Sequence, residues 1–138
     1  MIISKLRKTK YYVVALTAIL VMVMGGISVF AASVDRGLVQ GEYVKGRSTC
    51  GSTNASGSTG GEEPNSGLST SVSSIYGDVD TETYETHTQN KSSSGLNSCS
   101  VFFTAYDGCQ SVSIQSSHHA SKNGSSWSGS TSQTYPNN

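Results

Sequence analysis

The chain has 138 residues, with nine Lys and Arg balanced by nine Asp and Glu. Loss of a leader over residues 1–31 would leave 107 residues with five basic and nine acidic side chains, a net charge of −4. That length suits one domain, and the acidic balance argues against nucleic acid or an anionic membrane as partner, since both require clustered Lys and Arg.

Residues 1–31 read as a secretory signal peptide. Lys5, Arg7, Lys8 and Lys10 form a basic start, and Tyr11 to Met24 form an apolar core. Gly25-Gly26 breaks the apolar run, and Val29-Phe30-Ala31 supplies small residues for cleavage after Ala31. The competing reading is an uncleaved membrane anchor, because no charge falls between Lys10 and Asp35. Cleavage predicts a secreted, extracellular protein that meets a membrane only through its leader.

Ser and Thr make up 36 of the 107 residues after Ala31. Such residues compete for backbone hydrogen bonds and disfavour helices. No later stretch shows a sustained helical period, so the fold is expected to be all-β. Residues 32–67 read as a flexible N-terminal segment. It carries one possible short strand, Glu42 to Lys45, then a Ser/Thr/Gly-rich linker from Ser48 to Gly67. Residues 68–138 read as the antiparallel β domain.

Three turn signals organise that domain. Gly77-Asp78 predicts a hairpin over Leu68 to Gln89, with Leu68, Val72, Tyr76, Val79, Thr83 and His87 on one face. Gln89 to Asn97 reads as a polar loop. Asp107-Gly108 predicts a second hairpin over Cys99 to Ser116, with Tyr106 opposite Cys109. Its apolar face holds Val101, Phe103, Ala105, Val112 and Ile114, and its other face holds Phe102, Thr104, Tyr106, Ser111 and Ser113. Asn123-Gly124 predicts a third turn, setting Lys122 opposite Ser125, Ala120 opposite Trp127 and Val112 opposite Tyr135. About five strands built this way predict a small antiparallel β-sandwich or open barrel.

Candidate chemistry is sparse. His118-His119 invites a metal reading, but neighbours in a strand point to opposite faces. His118 and His87 share inferred core faces, yet no Cys or carboxylate clearly completes a site with them. Asp78-x-Asp80-x-Glu82 resembles the start of a calcium loop without its Gly and distant Glu, and reads as a solvated acidic edge. No G-x-S-x-G elbow occurs, and no cofactor motif is found. Phe102, Thr104 and Tyr106 form a candidate binding face for a sugar ring or a partner protein. The alternative is that a second layer covers them.

Three cysteines cannot all pair within one chain. The Asp107-Gly108 register would separate Cys99 from Cys109 by roughly 23 Å, whereas a disulfide needs Cα atoms within about 7 Å. Cys50, in the flexible segment, can reach either one; it is expected to pair with Cys109, which lies beside a turn and is expected to be exposed, while Cys99 starts a strand on the core face. Cys99 is left free or pairs between chains.

Val72-Ser73-Ser74-Ile75-Tyr76, Thr86-His87 and a terminal strand with Trp127 and Tyr135 resemble the lactococcin 972 type of secreted bacteriocin. The resemblance implies a small β-sandwich that interferes with cell-wall synthesis. The three cysteines and the long Ser/Gly stretch depart from it. The leading expectation is a secreted, non-catalytic β-domain binding an extracellular protein or a cell-wall glycan. The alternatives are a bacteriocin-like antagonist and a small hydrolase.

Overall fold

The computed structural model describes residues 34–136; the leader read over residues 1–31 lies outside them. Eight strands form: β1 Val34–Val39, β2 Glu42–Cys50, β3 Asn54–Gly61, β4 Ser69–Asp80, β5 Thr86–Leu96, β6 Ser98–Thr104, β7 Cys109–Lys122 and β8 Ser125–Thr134. They make two antiparallel four-stranded sheets. Sheet I has the order β1-β2-β3-β6, and sheet II the order β5-β4-β7-β8. The all-β expectation holds, with eight strands where about five were expected.

The extra strands come from segments read as linker and loop. Much of Ser48 to Gly67 belongs to β2 and β3, and β3 pairs with β6 from Asn54↔Thr104 to Gly60↔Ser98. Residues 34–61 are thus part of the same sandwich as residues 68–136, not a flexible preface to it. Composition misled here because the inward positions Gly46 and Gly57 of this segment are small by necessity. A Cβ on Gly46 would lie 2.5 Å from the His118 ring, and one on Gly57 would strike the Ser74 and Ser116 hydroxyls. The His118 ring and the Ser74 and Ser116 side chains of sheet II fill the space that these glycines leave. Gly46→Ala is therefore expected to destabilise the fold by about 1–3 kcal/mol through overpacking. A melting temperature equal to that of the parent would refute this.

The three turns fare differently. At Asn123-Gly124 both residues take positive φ, 49° and 81°, and the register sets Lys122↔Ser125 and Ala120↔Trp127 as expected. The Tyr135 N–H donates to the Val112 carbonyl at 2.9 Å, continuing that register. At Asp107-Gly108 a turn does form, with the Cys109 N–H donating to the Tyr106 carbonyl at 2.9 Å. Only Gly108 takes positive φ there, and the turn is an arch rather than a hairpin. It carries the chain from β6 in sheet I to β7 in sheet II. At Gly77-Asp78 the chain does not turn. β4 continues to Asp80, and Asp80 Oδ1 accepts the N–H groups of Glu82 and Thr83 at 2.8 and 2.7 Å. That carboxylate supplies the acceptors a tight turn needs, so the reversal falls at residues 81–85. β5 then runs through the stretch read as a polar loop, with Val79↔Thr86 as its first pair.

A β-bulge corrects the face assignment of β7. Gly77 pairs with Ser113 and Asp78 with Ser111, so Val112 is the extra residue. An extra residue inverts the alternation on either side of it. Ile114 and His118 point inward as expected, together with Ser116 and Ala120, while Val112 is only half-buried and Ser111 and Ser113 are buried.

Two apolar clusters form the core. Cys50, Ala55, Val72, Tyr76, Val101, Phe103 and Ile114 make the larger, and Val39, Val44, Leu68 and Ala120 the smaller. Between them runs a chain of buried polar groups. His118 Nδ1 lies 2.8 Å from Thr59 Oγ1, and Nε2 lies 2.7 Å from Thr131 Oγ1. Thr131 meets Ser48 at 2.6 Å, Ser48 meets Ser116 at 2.8 Å, and Ser116 meets Ser74 at 2.7 Å. No buried side-chain polar atom among the described residues lacks a partner. Hydrogen bonding thus offsets the desolvation of a Ser/Thr-rich interior.

The sandwich is tied at both seams. Lys91 Nζ and Gln89 Nε2 on β5 donate to the Phe102 and Thr104 carbonyls on the β6 edge, at 2.6 and 2.9 Å. On the other side Asp35 Oδ2 accepts the Ser130 N–H at 3.2 Å. These contacts occupy edge groups that would otherwise pair with another chain.

Candidate functional site

Strand alternation decides what the outer face of sheet I presents. The outward residues are Arg36 on β1, Tyr43, Lys45 and Arg47 on β2, Ser58 and Gly60 on β3, and Ser98, Ser100, Phe102 and Thr104 on β6. The register places them in rows: Arg36–Lys45–Gly60–Ser98, then Val34–Arg47–Ser58–Ser100. Small residues on β3 and β6 leave a shallow concavity of about 660 Å³, with Lys45 and Arg47 along one side. Phe102 lies one residue pair further along β6, opposite Ser56, and is 68% exposed.

Three of the five basic residues in the described region therefore share one sheet face. Arg36 lies 3.8 Å from Glu62, whereas Lys45 and Arg47 are in no salt bridge among the described residues. Lys91 and Lys122 lie elsewhere, engaged by the Phe102 carbonyl and by Glu42 with the Ser66 carbonyl.

The expected binding trio is divided by the fold. Phe102 and Thr104 remain exposed on sheet I, so no second layer among the described residues covers them. Tyr106 is also exposed, but it sits in the arch and its ring meets His87 edge-on at 5.1 Å.

Five of the nine acidic residues, Asp78, Asp80, Glu82, Glu85 and Asp107, lie around the β4–β5 turn and the arch. Here the register brings together three residues that are distant in sequence. Asp78 pairs with His87 across β4–β5, and Asp80 pairs with Cys109 across β4–β7. The bulge at Val112 turns Cys109 inward beside Asp78. His87 Nδ1 lies 3.0 Å from Asp78 Oδ1 and 3.7 Å from Cys109 Sγ. The Asp78 side chain is wholly buried, and its Oδ2 accepts the Tyr106 N–H at 3.0 Å.

This trio is a poor nucleophilic relay. Such a relay uses the two ring nitrogens separately, one for the nucleophile and one for the carboxylate, whereas here both partners face Nδ1. Burial pushes the Cys109 thiol up from its ordinary pKa, and the charges of Asp78, Asp80 and Asp107 push it further. Cys50 is raised to about 11 by burial, offset in part by the Ser111 hydroxyl. Both thiols are held protonated at neutral pH and are weak nucleophiles.

Cys50, Cys99 and Cys109 all stand as free thiols, so the expected Cys50–Cys109 linkage is not formed in this structure. Cys50 belongs to β2, not to a flexible segment, and Cys109 is buried rather than exposed beside its turn. His118 and His119 do point to opposite faces: His118 is buried and His119 is exposed beside Ser128. His118 and His87 do not share partners. Asp78, Asp80 and Glu82 are split between core, turn cap and surface. Sequence reasoning missed the grouping of Asp78, His87 and Cys109, because only the β4–β5 register and the bulge bring them together.

No protein-family model matches the chain, and no curated protein or solved structure matches it. The resemblance to the lactococcin 972 type gains no support from these comparisons.

Proposed function

We propose that the protein is a small, secreted, non-catalytic binding domain acting at or outside a bacterial cell surface, and that its ligand is an acidic glycan laid across the outer face of sheet I. The observation that carries this reading is the concavity walled by Lys45 and Arg47, floored by Ser58, Gly60, Ser98 and Ser100, and flanked by exposed Phe102; Glu62, which also lines it, lies 3.8 Å from Arg36. Arg and Lys heads recognise carboxylate or phosphate groups, with Arg able to engage them bidentately. Serine hydroxyls both donate to and accept from sugar hydroxyls. An exposed aromatic face offers an apolar surface on which a sugar ring can rest.

Binding of acidic and neutral polysaccharides, followed by calorimetry, tests the proposal. Phe102→Ala and Arg47→Gln are each expected to weaken binding of the acidic polymer about tenfold, or about 1.4 kcal/mol. Both positions are exposed, so folding stability should change by less than about 0.5 kcal/mol. Added salt should weaken the interaction. Equal affinity for neutral polymers, or unchanged affinity in both variants, would defeat this assignment.

A further inference from the structure

We propose that Asp78, His87 and Cys109 form a site for one divalent transition-metal ion of the zinc type, with solvent completing the coordination. The site lies apart from the sheet I concavity, on β4, β5 and the start of β7, and does not depend on the glycan reading.

Geometry carries the proposal. One ligand atom from each residue lies within 4.8 Å of the others. Zinc bonds of about 2.0–2.3 Å at tetrahedral angles separate neighbouring ligand atoms by roughly 3.3–3.6 Å. The carboxylate oxygen and the thiol sulfur lie at 3.0 and 3.7 Å from His87 Nδ1, on either side of that interval. These two edges need shifts of only a few tenths of an ångström to accept an ion, and the third, between Asp78 and Cys109, is no longer than 4.8 Å.

Donor chemistry selects the class of ion. One imidazole nitrogen, one thiolate and one carboxylate suit zinc and its neighbours, whereas calcium and magnesium require six or more oxygens. Ionised Asp78 and Cys109 together balance a charge of +2. The proton on the Cys109 thiol would leave to solvent as the sulfur–metal bond forms.

The surroundings also fit. The Tyr106 N–H holds Asp78 Oδ2, leaving Oδ1 directed at the imidazole. Such an outer hydrogen bond fixes the orientation of a ligating carboxylate. The Tyr106 ring packs against the edge of His87 and limits its rotation. The His87 side chain is 36% exposed, so a water can reach a fourth position. Three protein ligands and one open position is an arrangement that catalytic zinc sites also use.

Cobalt(II) titration of the purified, reduced protein tests this directly. One equivalent should bind, giving a thiolate-to-cobalt charge-transfer band and the intense visible bands of a four-coordinate ion. Zinc should displace cobalt and raise the melting temperature by roughly 10 °C at a hundredfold excess over Kd. Cys109→Ser and His87→Gln should abolish the band, whereas Cys50→Ser and Cys99→Ser should keep it. His87 is partly exposed, so His87→Gln decides the matter if Cys109→Ser fails to fold. Absence of the band in the parent, or its persistence in folded Cys109→Ser or His87→Gln, would overturn the proposal.

Discussion

Phe103→Ala is expected to cost about 3–5 kcal/mol, the usual penalty for emptying a fully packed aromatic site. Phe103 is 2% exposed and stacks on Tyr76 with ring centroids 5.2 Å apart. Two of its neighbours in the larger cluster cannot readily move in: Ala55, opposite it in the register, is small, and Tyr76 is held by Ser111 at 2.7 Å. For a domain of this size such a loss approaches the whole of its stability. Phe102→Ala, one residue away on the opposite face, should change stability by less than about 0.5 kcal/mol. Urea denaturation of the two variants gives the comparison. Equal effects, or a larger effect at Phe102, would show that the faces of β6 are wrongly assigned.

Acid should weaken the fold well before most carboxylates titrate, through His118. Burial drives its pKa down from 6.5 to about 4, opposed in part by the charge of Asp35. Between those values the unfolded chain binds a proton that the native chain refuses. Stability contributed by neutral His118 is therefore fully present above pH 6.5. It declines as pH falls and is lost by about pH 4. The drop amounts to about 3 kcal/mol. The Thr59 hydroxyl donates to the Ser71 carbonyl at 2.9 Å, so Thr59 is placed to accept the Nδ1 proton. Denaturation curves at pH 7, 5.5 and 4.5 should show the decline in the parent and little of it in His118→Asn. An unchanged slope in that variant would assign the effect elsewhere.

How far the molecule was legible from its residues depended on whether local rules decided the outcome. Asn123-Gly124 formed the turn its backbone preferences require, because both residues tolerate positive φ and the flanking strands stay in one sheet. Leu68, Val72 and Tyr76 came out buried on one face, as did Val101 and Phe103. Strict alternation was enough for these. Asp107-Gly108 shows the limit. The turn is present, but a turn of that kind can close a hairpin or lift the chain to a second sheet. The choice rests on which strands β6 and β7 find as neighbours.

The candidate sites divide in the same way. Exposure of Phe102 and Thr104 followed from the alternation within β6, whereas the basic wall opposite them depended on β2 and β3 joining that sheet. The cluster of Asp78, His87 and Cys109 had no local signal at all. It required the β4–β5 register, the capped turn after Asp80 and the inversion of β7 at Val112.

What the sequence by itself determined was strand character, the alternation of apolar residues in β4 and β6, and one hairpin, since each follows from the preferences of adjacent residues. Only the tertiary structure decided that a Ser/Gly-rich segment is interior sheet and that serines and a histidine line the core. Glycine or serine is buried or exposed according to what the facing sheet supplies. At Gly46 the facing group is the His118 ring, contributed from 72 residues further along the chain.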